Sequence, residues 1–301
     1  MHVVFLGTSS ATPTPRRYLP AVVVVRLGEM FLFDCGEGAQ IRFRKARLKF
    51  TRLSWILISH MHGDHITGLM GLLMSLQMAE RTEPLHLAGP EGLREYVAVN
   101  KRLLRTDFGY PLLVHELNGD QGVVCDGPEY RIEFAALQHR VPTFGYALLE
   151  KDRPGTFDLA AAQALGVPMG PLFGQLQRGE AVTLADGTAV TPEQVLGPPK
   201  PGKRVAYVAD TRPCRNAEWL ARGAELLIHE ATFAGELAEE ARQKKHCTVL
   251  DAARTATVAA ARRLVLTHFS PRYLDLEPLA AEAATIFPDV LAATDLLELD
   301  V

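Results

Sequence analysis

The chain has 301 residues, 48% hydrophobic and 22% charged, the balance of a globular protein long enough to bury a sizeable core without disulfide staples. Its formal net charge of −3 argues against a surface that grips nucleic acid all over, so such a partner would have to meet a local patch, a dimer groove or bound metal. Cys35, Cys125, Cys214 and Cys247 are widely spaced with no C-x-x-C pair, which disfavours a disulfide framework or zinc ribbon and fits a reducing, cytoplasmic setting.

The first strand is expected at Val3–Leu6, in a start without the charged residues and long apolar run of a signal peptide. Strands follow at Ala21–Leu27 and Met30–Asp34, with Gly28-Glu29 between them as a hairpin turn. Trp55–Ser59 comes next, and behind Asp64 the apolar residues Ile66, Leu69, Met70, Leu73 and Leu76 recur at helical spacing. That helix is too short to span a bilayer, and no membrane partner is expected. Further strands are read at Leu85–Ala88, Leu112–Leu117, Tyr130–Leu137, Phe144–Leu149, Arg204–Ala209, Glu225–His229, Arg263–Thr267 and Leu291–Leu299. The class is therefore α/β or α+β. From about Lys151 to Lys203 the density of proline and glycine, from Pro154-Gly155 to Pro201-Gly202, argues against a packed layer. This stretch reads as an extended insertion or arm on a single domain spanning 1–301, with a small hairpin turning at Asp186-Gly187.

In Ser59-His60-Met61-His62-Gly63-Asp64-His65, the six residues from His60 on pack three imidazoles and a carboxylate directly after an apolar strand. Neutral imidazole nitrogen and carboxylate oxygen are what zinc takes. On a turn, His60 and His62 can serve one ion while Asp64 and His65 serve another. One segment cannot close two sites, and strand ends are where sites in α/β sheets gather. Three other apolar strands run into His139, Asp210 and His268. They complete a seven-ligand set of His60, His62, Asp64, His65, His139, Asp210 and His268. His2, His86 and His115 lack ligand-type neighbours in sequence and read as ordinary.

With this core, the chain resembles the metallo-β-lactamase superfamily and, within it, the ribonuclease Z (tRNase Z) family. The resemblance runs over nearly the whole length and includes Phe5-Leu-Gly-Thr-Ser, Leu32-Phe-Asp-Cys-Gly-Glu-Gly, His229-Glu-Ala-Thr-Phe and Leu266-Thr-His-Phe-Ser-x-Arg-Tyr. It implies a four-layer αβ/βα sandwich and zinc-dependent removal of the 3′ trailer from precursor tRNA. It also implies one zinc on His60, His62 and His139, a second on Asp64, His65 and His268, and Asp210 bridging them; manganese is the alternative metal. The 151–203 insertion resembles the family's flexible arm, an exosite for tRNA that a homodimer presents to its partner's active site. Two positions depart from the family pattern. Pro15 and Tyr18 stand where lysine and asparagine are more usual, and Cys247 follows His246 where the family has serine.

Trailer removal needs an attacking water and a proton for the departing ribose 3′-oxygen. Asp64 is the candidate acceptor of the water's proton, and His246, positioned by Glu230, is the candidate general acid. The cationic run Arg42–Arg52 is a candidate phosphate contact, or else a solvated helix face. The alternative function is a metal-dependent small-molecule phosphodiesterase or other hydrolase on the same scaffold. An RNA-binding module with a vestigial site is a third reading, disfavoured by the intact ligand set.

Overall fold

A computed structural model describes residues 1–301. It divides into two compact units: residues 1–127, 131–149 and 204–301, and residues 128–130 with 150–203.

In the larger unit, β1 (His2–Gly7), β2 (Ala21–Arg26), β3 (Glu29–Phe33), β4 (Leu53–Leu57), β5 (Leu85–Pro90) and β6 (Leu112–Leu117) lie side by side in chain order. Beyond β6 the chain starts a second sheet with β7 (Gln121–Asp126), β8 (Tyr130–Ala136) and β9 (Phe144–Glu150). After the small pair β10 (Val182–Thr183) and β11 (Ala189–Val190), that sheet continues through β12 (Arg204–Val208), β13 (Leu226–Glu230), β14 (Leu264–Thr267) and β15 (Val290–Ala292). The last strand, β16 (Glu298–Asp300), returns to pair antiparallel with β1. The expected strand at Leu291–Leu299 is thus two strands in different sheets. Thr294–Leu297 crosses between them, and Asp295 binds the Thr8 hydroxyl and the Tyr18 amide on the way. The hairpin turn also sits one residue earlier than expected: Leu27 (φ 48°) and Gly28 (φ 86°) both have positive φ, as a type I′ turn requires.

The near-continuous apolar runs Ala21–Val24 and Ile56–Ile58 are buried, which marks strands covered on both faces. One face of the first sheet packs on α1 (Ala39–Lys45), α3 (Leu69–Met78) and α4 (Leu93–Leu104), with the one-turn α2 (Gly63–Ile66) leading into α3. The second sheet carries α7 (Arg215–Ala221) and α9 (Val249–Val258), with α10 (Glu277–Ala284) beside β15. Between the sheets, Phe33 meets Tyr207 at a 5.4 Å centroid distance and Tyr146 at 6.3 Å. This is the four-layer αβ/βα sandwich. At one end the sheets are laced together: Phe144 N–H donates to Ser59 O, Phe269 N–H to Thr8 O and Ser10 N–H to Phe269 O. No helix is long and apolar enough to cross a membrane.

The smaller unit is not merely irregular. α5 (Leu159–Ala164), α6 (Pro171–Gln177) and the β10–β11 hairpin bury Ala162, Val167, Leu176, Val182, Val190 and Val195 against one another. Its base is a short ladder, with Glu150 N–H on Lys203 O at 2.9 Å and Arg153 and Lys200 exchanging two backbone bonds.

Candidate metal centre

Two glycines let the motif reach its place. A Cβ on Gly68 would lie 2.0 Å from Gly36 O, and one on Gly36 would lie 2.5 Å from Leu19 Cβ. Only bare backbone fits this close approach. There Cys35 N–H binds His65 O and Gly68 N–H binds Cys35 O, fixing the turn that carries His60, His62, Asp64 and His65 ahead of α3.

All seven expected ligands converge. His60, His62, His139 and Asp210 place one ligand atom each within 4.8 Å of one another, as do Asp64, His65 and His268. Asp210 stands between the groups. Its Oδ2 lies 3.7 Å from His60 Nε2 and 3.8 Å from His139 Nε2, and its Oδ1 lies 3.2 Å from His268 Nε2 and 3.6 Å from His65 Nε2. That Oδ1 is buried without a hydrogen-bond partner, a costly state that a cation between the imidazoles would relieve.

The outward nitrogens say the same. His65 Nδ1–H donates to Asp34 Oδ2 (2.7 Å), His139 Nδ1–H to Lys245 O (3.0 Å), His60 Nδ1–H to Ser59 Oγ (3.0 Å) and His268 Nδ1–H to Thr232 Oγ1 (3.0 Å). Asp34 and the Lys245 carbonyl can only accept, and each hydroxyl spends its own proton on a carboxylate, Asp34 or Glu230. These four rings therefore turn lone-pair Nε2 atoms inward, as metal-binding histidines do. Burial, then the imidazoles of His65, His62 and His139, hold His60 well below its usual pKa. Burial likewise lowers His62 and His139. At His65 burial opposes charge, but Asp34 and Asp210 outweigh it, so the ring welcomes positive charge at Nε2, whether a proton or a metal ion supplies it.

Asp34 is the functional residue the sequence reading passed over. It is fully buried and accepts from Ser59 N–H, Ser59 Oγ–H, His65 Nδ1–H and Tyr207 Oη–H. Asp34 (φ 56°) and His268 (φ 60°) are both non-glycine residues in the left-handed region, where strain persists only under strong surrounding constraint.

His246 and Glu230 sit beside the ligands. His246 Nδ1–H donates to Glu230 Oε1 at 2.9 Å. Burial would lower the His246 pKa, but the Glu230 and Asp210 carboxylates push it up to about 9. His246 also falls within reach of Asp210 and His268 as a third ligand-type group. Toward Asp210 it turns Nδ1, 3.9 Å from Oδ2, and Glu230 already occupies that nitrogen. The Asp64 carboxylate accepts Ala11 N–H at 2.8 Å. Burial opposes its ionisation, yet His268 and His65 hold the carboxyl far below the usual range. The cleft over these groups, about 290 Å³, has Arg140, Lys244 and Arg272 among its walls.

Of the cationic run, Arg42 is not available to a phosphate. It is buried, bonded to Leu6 O and paired with Asp295 at 3.1 Å, with Tyr18 under its guanidinium. Arg44, Lys45, Arg47, Lys49 and Arg52 remain exposed. His86 and His115 lie outside the centre, 3.1 Å apart and stacked on each other, with Trp55 stacked on His86.

Comparison with known proteins bears on this arrangement. The chain is 45% identical to "Ribonuclease Z" of Cyanothece sp., over 99% of this chain and 94% of that protein. Among solved structures, human tRNase Z, short form, superposes with a TM-score of 0.75 at 28% identity, over 100% of this chain and 99% of that one. The metallo-β-lactamase fold protein YhfI of Bacillus subtilis gives 0.69 at 19%, over 99% and 98%, which speaks to fold alone. A family described as "Anti-Pycsar protein Apyc1" matches residues 1–104.

Proposed function

The chain belongs to the ribonuclease Z family, and we propose from that premise which of its residues carry the reaction. It is a metal-dependent tRNA 3′-endonuclease that removes the trailer from precursor tRNA by phosphodiester hydrolysis. The observation that carries the site assignment is Asp210, whose two oxygens face two separate imidazole clusters.

On this reading His60, His62 and His139 would hold one zinc ion, Asp64, His65 and His268 a second, and Asp210 both, with manganese the alternative occupant. Bound there, the pair would supply an acidified water and neutralise charge on the phosphate. Asp64, whose carboxylate accepts Ala11 N–H, is the group that would orient that water and take its proton. His246, held through Nδ1 by Glu230, keeps Nε2–H to give to the ribose 3′-oxygen as the bond to phosphorus breaks. The tRNA keeps a 3′-hydroxyl and the trailer leaves with a 5′-phosphate. Residues 150–203 serve as the exosite for the tRNA body, and a homodimer is the assembly that would bring one copy's exosite to the other's centre.

The test is cleavage of a 3′-extended precursor tRNA by purified protein, with and without chelation and zinc add-back, beside bis(p-nitrophenyl) phosphate. Metal-dependent cutting at the tRNA 3′ end is expected. Turnover of the small diester with an untouched precursor would move the substrate to the rival hydrolases. The match over residues 1–104 does not favour that rival, since it stops before His139, Asp210, His268 and the whole of 150–203.

A further inference from the structure

Helix α8 (Ala238–Lys244) ends in an uncommon way. Lys245 follows it at φ 57°, ψ 48°, a left-handed conformation that glycine or asparagine usually supplies at a helix end. That turn directs the Lys245 carbonyl onto His139 Nδ1–H at 3.0 Å, while Lys245 Nζ donates to the His139 carbonyl at 3.1 Å. One residue thus grips His139 at ring and backbone across 106 positions of sequence. The next residue is His246, whose ring centroid is 5.0 Å from that of His139.

Resting on the ligand assignment above, we propose that Lys245 is a positioning residue whose left-handed turn aims the His139 imidazole at the metals and ties that aim to the placement of His246. The contact that fixes the ring is made by backbone carbonyl. The side chain at 245 therefore matters mainly through the φ it permits, with the ammonium contact secondary. Residues that accept the left-handed region should preserve the centre whatever their charge, and a β-branched residue should disturb it.

The experiment is the series Lys245→Gly, Lys245→Asn and Lys245→Val. Three quantities are read: the His139 Nδ1–H resonance of the metal-free protein by ¹⁵N NMR, zinc affinity by chelator competition, and precursor turnover. Thermal unfolding of each metal-free variant confirms that it is folded. Lys245→Val should lose or shift the resonance and weaken zinc binding about 10-fold or more, and Lys245→Gly and Lys245→Asn should rescue both. A wild-type resonance and affinity in folded Lys245→Val would overturn the proposal. So would losses in Lys245→Gly and Lys245→Asn as deep as those in Lys245→Val, because the ammonium would then be the agent. A lost resonance with unchanged zinc affinity would overturn the aim at the metals and remove His139 from the ligand set.

Discussion

Glu230 Oε1 accepts the Nδ1–H of His246 at 2.9 Å, and the same carboxylate is already bonded to the amides of Thr211, Thr232 and Cys247 and to the Thr232 hydroxyl. Burial would raise its pKa, yet the charge and hydrogen bond of His246, with His268 and the Thr211 amide, hold it below the usual carboxylate range. A carboxylate so fully engaged orients His246 and does not take its proton. Removing the imidazole should therefore remove the proton donor and leave the ligands standing. His246→Ala is expected to slow turnover by roughly 10²-fold or more with metal content unchanged. Wild-type turnover would strike His246 from the mechanism.

The same pair sets the alkaline side of the pH profile. A general acid works protonated, so activity falls as pH rises through the His246 pKa, which the Glu230 charge raises. Bound cations push the other way, placing the limb of the loaded enzyme below the metal-free value. Glu230→Gln removes the anion and should move the limb down by about 1–3 units. The kcat–pH profile of the folded variant measures this, and an unmoved limb would mean that Glu230 does not tune His246.

Asp34 predicts a metal effect without touching the metal. Its carboxylate fixes the proton on His65 Nδ1 and anchors Ser59, which in turn orients His60. Asp34→Asn puts an amide among four donors and should cost about 10–100-fold in metal affinity, read by chelator competition. Unaltered affinity would reduce Asp34 to a packing residue.

What the sequence disclosed, and what it hid, follows from how each residue acts. Histidine and aspartate are rare in apolar strands, so one at a strand end stands out at positions 139, 210 and 268. The expected strand Met30–Asp34 also ends in a carboxylate, but Asp34 holds imidazole and hydroxyl donors and belongs to no ligand-type cluster, so no ligand spacing marks it. Thr232 and Lys245 act through a hydroxyl and a carbonyl, groups that any neighbouring pattern could supply, and no spacing announces them. The split of Leu291–Leu299 is hidden because leucine and alanine dominate both halves, while Asp295 between them answers to Thr8 and Tyr18 from distant sequence. The insertion's breakers argue against a packed α/β layer, and nothing in their spacing announces that six small and branched residues spread over more than thirty positions close a core of their own.

The cationic run separates into a structural and an electrostatic part. Arg42 and Asp295 are both at least nine-tenths buried as side chains, and breaking a buried pair by removing one partner costs about 3–5 kcal/mol. Arg42→Ala should lose stability of that order in chemical denaturation. Arg44→Ala with Lys45→Ala, both exposed, should leave stability alone and flatten the salt dependence of precursor binding by about two units of slope. An unchanged slope would assign the run to solvation only.

Residues 150–203 offer the sharpest separation of chemistry from recognition. Their apolar side chains cover one another in a core of their own, and the chain enters and leaves through the Glu150–Lys203 backbone bond. A two-residue turn closing that pair in place of 152–201 therefore removes that core whole. None of the seven ligand-type residues, nor Asp34, Glu230 or His246, falls in the deleted stretch. Hydrolysis of bis(p-nitrophenyl) phosphate should then persist, because a small diester needs only the metals and the proton donor. On the exosite reading, precursor tRNA would lose a second contact whose benefit comes from effective concentration, so its kcat/KM should fall by about 10²-fold, chiefly through KM. Equal loss on both substrates would mean that the segment supports the centre itself, and undiminished precursor cleavage would end its role as an exosite.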